Sequence, residues 1–390
     1  MRCLVPLATA ALIASAPSLA QAESDIREGV PELDHVYLVV LENHNASQII
    51  GNPNAPHLSA LAARYNYASN YNAVWHPSLP NYVAMITGDW IGTDVLGNTD
   101  AAPPLGTGKS YLPNSLVGIG DDDSPSVALD FAHANPSRHR WRVNLPSIAG
   151  ELTNVGKDWR AYLQNIPETG SYFANWPGDS NTAKLYAVKH NPFPYVGEVQ
   201  DNAFQFVKQV TFDQLFSDLG GNRSPAFSFI VPDQCRDMHG IGNPLAPCGT
   251  DSLGGDNDAN DVRRGDDEAY WLTNAILGSA AWKSGRNALF ITFDEGNGPL
   301  TCPGYSPYAP ADTAPGTLKP GAGCYAAASF NDPVVMIVIT NYGTRGVVDS
   351  RLYTHYSLLK TIEAAFGLPY LGHAADATTH TLAPLLRPAD

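Results

Sequence analysis

Two patterns alternate along the chain: short, continuous apolar runs, and longer stretches in which apolar residues recur every three or four positions. Residues 35–41, 226–231, 288–293 and 334–340 are runs of the first kind, rich in β-branched side chains. That is the pattern of strands buried on both faces of a mostly parallel sheet. Helical spacing predicts a helix from His57 to Tyr65, with Leu58, Leu61 and Ala62 on one face. It predicts others over Phe212–Leu219 behind Thr211 as a cap, over Glu268–Ala281, and over His355–Phe366 between Thr354 and a stop at Gly367. Strands alternating with helices predict an α/β sandwich. Segments 93–125, 233–265 and 297–332, rich in Gly, Pro, Asp and Ser, read as long loops, which in a compact domain are functional or disordered. Without an internal repeat or a linker between two cores, one domain over 23–390 is the simplest organisation.

Two of the strands run straight into polar pairs. Val36–Leu41 is followed by Glu42-Asn43, and Ala288–Phe293 by Asp294-Glu295. In an open α/β sheet, ligands gather beyond the carboxyl ends of the strands. If these strands are neighbours, three carboxylates and an amide oxygen converge there and repel one another unless a cation joins them.

Composition narrows the setting. Arg2, the apolar stretch Leu4–Ala16 and the small-x-small sequence Ala20-Gln21-Ala22 read as a cleavable signal peptide over 1–22. Its apolar stretch is too short to span a bilayer, and no later stretch is apolar enough to insert stably. The expectation is an exported protein, periplasmic or extracellular. The formal net charge of -15 argues against a nucleic-acid partner, which would need a basic patch. Of five cysteines, Cys3 lies in the leader. The even remainder in an exported chain points to disulfides. Neighbour pairing gives Cys235–Cys248 and Cys302–Cys324, one of three connectivities.

The candidate nucleophile is Ser78, in His76-Pro77-Ser78-Leu79-Pro80-Asn81-Tyr82. Tyr82–Gly88 reads as a helix, so Ser78 would stand just before an N-terminus that favours anions. Competing motifs fare worse. Gly106–Ser110 imitates the end of a P-loop, but Pro103 replaces its first glycine. Asp256–Asp261 with Asp267 imitates a calcium loop whose sixth position should be Gly and is Asp261. It supports a second reading, a non-catalytic calcium-binding surface protein. No Gly-x-Ser-x-Gly elbow occurs.

Glu42-Asn43, Ser78–Asn81, Asp294-Glu295 and Thr354–Glu363 follow one another in that order. They are accompanied by Trp159–Tyr162, Lys189–Phe193 and Val231–Asp233 through Asp237–His239. This array, from about Asp34 to Leu371, resembles the secreted acid phosphatase and phospholipase C type phosphoesterase family of the alkaline phosphatase superfamily. The resemblance implies an alkaline-phosphatase-like α/β/α fold, with 23–390 as the catalytic domain. It implies hydrolysis of a small phosphate monoester through a phosphoserine on Ser78, a phospholipase C type phosphodiesterase being the alternative. Glu42, Asn43, Asp294, Glu295 and Ser78 would hold one divalent ion (Mg, Ca, Mn or Zn), and a second ion is conceivable near Asp233, Asp237, His239 and His355. Asn81, His190, Asp233 and Asp237 would surround the phosphate, with His239 and His355 in catalytic positions. Asn98 aligns only loosely with a phosphate-binding Asn of related phosphodiesterases.

Overall fold

The structure, a computed structural model, describes residues 26–75, 78–90, 124–125, 140–141, 143–171, 175–177, 185–241, 248, 259–296 and 332–388. Residues 1–22 (read as a signal peptide), His76, Asn98, the P-loop-like Gly106–Ser110 and the pair Cys302–Cys324 lie outside these residues. So do most of the three long loops.

The core is an eight-stranded sheet. In chain order its strands are β1 His35–Leu41, β2 Asn66–Ala68, β3 Trp159–Leu163, β4 Gln209–Val210, β5 Phe227–Val231, β6 Asn287–Phe293, β7 Met336–Thr340 and β8 Val348–Asp349. Their spatial order is β4-β3-β5-β1-β6-β7-β2-β8. From β4 through β6 every pairing is parallel. β7 corrects the expectation for 334–340: it runs antiparallel to both β6 and β2. A uniformly apolar run reports burial on both faces but carries no information about direction. Every residue of β5, β6 and β7 is buried.

Helices α1 Pro56–Arg64, α2 Ser78–Thr87, α3 Ile148–Asn154, α4 Phe212–Gly220, α5 Ala259–Gly278 and α6 His355–Phe366 cover the sheet. They form two packed sets: α6 against α2 and α2 against α3, and α1 against α5 and α5 against α4. α6 begins and ends where its sequence signals lie. Ser357 Oγ accepts the Thr354 N–H at 3.2 Å, and Gly367 closes the helix at a left-handed φ of 67°.

α5 overturns another expectation. The segment from Ala259 is helical rather than part of a 233–265 loop, so it cannot supply a calcium coil. Its acids are already engaged. Asp261 pairs with Arg264, Asp267 lies 3.5 Å from His57, and Asp266 caps α1. That cap accepts the His57 and Leu58 N–H groups at 2.9 and 2.7 Å.

Glu363, buried on α6, accepts the Leu371 N–H at 3.0 Å through Oε1, while Oε2 has no hydrogen-bond partner. Burial pushes its carboxyl from the ordinary 4.5 up to about 9, with Glu151 adding to the rise. A pKa raised on folding adds stability below about 4.5 that is lost as pH climbs through about 9. Glu363→Gln keeps the acceptor and removes the ionisation. Between pH 5 and 8 the wild type should therefore lose stability relative to this variant, by at most about 1.4 kcal/mol per pH unit. Urea unfolding at both pH values checks it, and a gap that does not change with pH would refute it.

Candidate functional site

The site is built at the carboxyl ends of β1 and β6, as their register dictates. Phe293 stands opposite Leu41, and the Asp294 N–H donates to the Leu41 carbonyl at 3.0 Å. Glu42 and Asp294 therefore leave the sheet side by side. Asn43 takes φ +43°, a left-handed conformation that Asn tolerates better than most residues. Its N–H donates to Asp294 Oδ1 at 3.0 Å. Gly296 follows Glu295 because a Cβ there would meet Asn45 Nδ2 at 2.0 Å and Asp332 Oδ1 at 2.1 Å.

Ser78 is the first residue of α2 rather than the residue before it. It is buried, and its hydroxyl donates to Glu42 Oε2 at 3.0 Å. Tyr82, one helical turn on, donates its phenol to Glu42 Oε1 at 2.5 Å. His190 is stacked on Tyr82, with Nε2 3.2 Å from Glu42 Oε1 and Nδ1 3.5 Å from Asp237 Oδ2. The Asp237 carbonyl in turn accepts the Glu42 N–H at 2.7 Å. Glu42, Ser78, Tyr82, His190, Asp237, Asn43 and Asp294 thus form one connected polar cluster within an apolar core.

Burial sets the electrostatics. It pushes Glu42 well above the ordinary carboxylate range, with the Asp294 charge adding to the rise. It does the same to Asp237 and raises Asp294 to about 6. The Lys189 charge opposes these shifts at all three carboxylates. Three oxygens, Asn43 Oδ1, Asp237 Oδ2 and Asp294 Oδ2, are buried without a hydrogen-bond donor. Buried acceptors of this kind are costly alone and suit a hard cation. Among the described residues, no three Asp, Glu, His or Cys side chains already close into a metal cage. The fit to an ion therefore rests on the mixed oxygen set of amide, carboxylates and hydroxyl.

The other sequence candidates surround this cluster. Asn81 clamps the turn before α2: Oδ1 accepts the Val74 and Trp75 N–H groups at 3.0 Å and Nδ2 donates to the Trp75 carbonyl at 2.7 Å. Its Nδ2 also lies 3.5 Å from Glu295 Oε2, which joins Glu295 to the cluster. His355 lies directly beneath Asp294. Nε2 meets the Asp294 carbonyl at 2.5 Å and Nδ1 meets the Tyr71 hydroxyl at 2.9 Å. Burial lowers its pKa to about 4, so the ring is neutral at pH 7. Asp233 accepts the Cys235 N–H at 3.0 Å and pairs with Arg236 at 2.9 Å, which shapes the loop that carries Asp237. His239, at the far end of that loop, is half-buried with Nδ1 2.8 Å from the Gly240 carbonyl. The loop is stapled by the Cys235–Cys248 disulfide, one of the two expected. It also contains Met238 at φ +84°, whose side chain is accommodated only because Gly265 of α5 has no Cβ. Sequence reading assigned Tyr82 no role. Its position four residues after Ser78, on the same helical face, was the available signal.

Such a cluster, beyond the carboxyl ends of parallel strands and around a serine at a helix N-terminus, defines an ester hydrolase of the α/β class. The chain belongs to the Phosphoesterase family, whose members act on phosphoric esters: residues 39–369 match it. It is 23% identical over 349 residues to a phosphatidylinositol-3-phosphatase of Mycobacterium tuberculosis, covering 89% of this chain and 82% of that protein. It is 23% identical to a probable acid phosphatase of Kluyveromyces lactis, over 93% of this chain and 65% of that protein. It is also 23% identical to an acid phosphatase of Aspergillus fumigatus, over 88% of this chain and 57% of that protein. The chain thus spans roughly three fifths of these fungal relatives. Among solved structures, a protein in the alkaline phosphatase superfamily from Vibrio parahaemolyticus aligns with a TM-score of 0.48 and 11% identity, over 90% of this chain and 72% of that one.

Proposed function

We propose that this protein is an exported, metal-dependent acid phosphatase that hydrolyses phosphate monoesters through a phosphoserine on Ser78. The observation that carries the reading is the 3.0 Å hydrogen bond from the Ser78 hydroxyl to Glu42, beside the unsatisfied oxygens of Asn43 and Asp294. With a divalent ion bound, Glu42 stays ionised despite its burial; its carboxylate is then placed to receive the serine proton as the Ser78 oxygen bonds to phosphorus, and to pass that proton to the departing ester oxygen. Water then cleaves the phosphoserine, restoring the hydroxyl and releasing inorganic phosphate. The N-terminus of α2 and the Lys189 charge favour the anionic group. Tyr82 and His190 hold the Glu42 carboxylate toward the serine. A divalent ion held by Asn43, Asp294, Glu42, Glu295 and Ser78 would neutralise phosphoryl charge and lower the serine pKa. The disulfide Cys235–Cys248 and the leader at 1–22 support an oxidising, exported setting. Among the described residues, no helix is long and apolar enough to cross a membrane.

Exhaustive chelation should lower phosphate release from monoesters at least about 100-fold. Adding back Mg, Ca, Mn or Zn singly should restore it and raise the melting temperature. Full turnover by protein shown metal-free by elemental analysis would end the metal reading. A strong preference for a phosphodiester in the same panel would end the monoester reading.

A further inference from the structure

Asp332 makes a set of contacts that the chemistry above does not use. It stands just before β7 and is only 3% exposed. Its two carboxylate oxygens serve different loops. Oδ1 accepts the Asn45 side-chain amide at 3.1 Å, and Oδ2 accepts the Gly296 N–H at 3.0 Å. Asn45 follows Glu42-Asn43 in the loop after β1, and Gly296 directly follows Asp294-Glu295 after β6. The main chain of Asp332 reaches a third segment. Its N–H donates to Asn72 Oδ1 at 3.1 Å, and its carbonyl accepts the Ala73 N–H at 3.1 Å. That segment leads to the turn at Val74-Trp75 that Asn81 clamps, and then to Ser78. One buried residue therefore ties together the chain on three approaches to the candidate site.

The packing leaves this junction no slack. A Cβ at Gly296 would fall 2.0 Å from Asn45 Nδ2 and 2.1 Å from Asp332 Oδ1, so the Gly296 backbone is wedged against both partners. The bridge between Asn45 and Val334, and the Ala46 N–H on the Pro333 carbonyl at 2.9 Å, hold Asp332 beside the first loop. A carboxylate suits the position because both of its oxygens face donors, and an ionised acceptor makes the stronger bonds. An Asn there would turn an NH2 group onto one of these donors. The junction is also independent of an ion. The direct link between the loops, from the Asn43 N–H to Asp294 Oδ1, engages a carboxylate that the ion would claim. Asp332 engages none of the metal-facing oxygens of Asn43, Asp237 and Asp294.

We propose that Asp332 is a positioning residue: it latches the Asn43 and Glu295 loops together at the spacing that the ion and Ser78 require. The inference rests on the metal-dependent phosphatase reading and adds a residue that acts on the reaction only through others. The test is a swap. Asp332→Asn sets an NH2 group against a donor, and Asn45→Asp sets two carboxylates against each other. The double variant Asn45→Asp/Asp332→Asn rebuilds the bridge with reversed polarity: the introduced amide can donate to the introduced carboxylate and still accept the Gly296 N–H. Mg, Ca, Mn and Zn are each titrated into metal-stripped protein by calorimetry, at a temperature where circular dichroism shows it folded. Each single variant should bind the ion that the wild type takes up about 10-fold more weakly, and lose about 10-fold in kcat on phenyl phosphate. Exchange of the Gly296 amide hydrogen should quicken at least about 10-fold in Asp332→Asn. The swap should bring all three quantities back to within about 3-fold of wild type, losing only the 3.3 Å contact of Asn45 with the Pro333 carbonyl. Ion binding and kcat within about 2-fold of wild type in Asp332→Asn would overturn the assignment, since a merely structural residue lowers stability alone. So would a swap no better than the single variants. If Asp332→Asn does not fold, the swap decides: folded and ion-binding, it upholds the latch, and unfolded, it ends it. If the wild type neither takes up an ion nor releases phosphate, the phosphatase reading fails and Gly296 exchange decides. Quickening in Asp332→Asn with recovery in the swap then upholds the latch, and unchanged exchange overturns it.

Discussion

Replacing Ser78 by alanine is expected to abolish phosphate release, by at least about 10³-fold, while the fold persists. The substitution removes one hydroxyl that donates to Glu42 Oε2 at 3.0 Å. Glu42 keeps the Tyr82 donor, and burial already biases its carboxyl toward the neutral form. The structural cost should therefore be small, about 1 kcal/mol in either direction. Kinetics on a monoester and urea unfolding of the same preparation separate the two effects. If turnover survives in Ser78→Ala, another group attacks phosphorus and the serine mechanism is wrong. An attempt to trap phosphate on the wild-type protein after an acid quench, with Ser78→Ala as the blank, gives an independent reading.

Asp294→Asn is expected to move activity and stability in opposite directions. Asn keeps the acceptor for the Asn43 N–H and the backbone carbonyl that meets His355. It removes a charge that lies fully buried near Glu42. Folding raises the Asp294 pKa from 3.8 to about 6. Its stabilising share is thus fully present only below about 3.8 and is lost as pH rises through about 6. In chelated protein at pH 8 the variant should be more stable than the wild type, by about 1–3 kcal/mol. Turnover with metal present should fall by at least about 100-fold, and the metal-induced rise in melting temperature should shrink. A variant that loses stability in chelator would show Asp294 to be scaffold rather than a ligand held in readiness.

The opposition of these two effects explains how the site is built. Three carboxylates driven into an apolar core are unfavourable for folding, and the large buried sheet offsets them. The supporting groups keep the arrangement from relaxing. Asn81 fixes the turn before α2, His355 holds the backbone of Asp294, and His190 separates Glu42 from Asp237. His355 and Asn81, expected around the phosphate, each use their main hydrogen-bonding capacity on the scaffold. His355 ties the backbone of Asp294 to Tyr71, and Asn81 ties the backbone of Val74 and Trp75 to α2.

Much of the fold was legible in the residues. β1 and α6 lie within the limits their patterns predicted, because uniform burial and capping chemistry leave local marks. α5 was begun too late. Asp261, Arg263, Arg264, Asp266 and Asp267 look like a loop by composition, yet helical Asp261–Arg264 pairing and the cap on α1 make them a helix. The direction of β7 was not legible, because strand pairing is a long-range choice with no local residue code.

The sequence by itself determined which side chains were available to the site and roughly where each stood: Glu42-Asn43 and Asp294-Glu295 after buried strands, and Ser78 at the start of a helix. Strand burial and helix starts are decided by neighbouring residues, so they are written locally. Only the tertiary structure decided which of these groups meet. The parallel register of β1 and β6 sets Glu42 beside Asp294, and the end of α2 brings Ser78 to Glu42. The same packing adds Tyr82 and His190, whose roles depend on contacts 40 and 148 positions away in the chain. Contacts of that range are fixed by how layers pack, and no short motif encodes them.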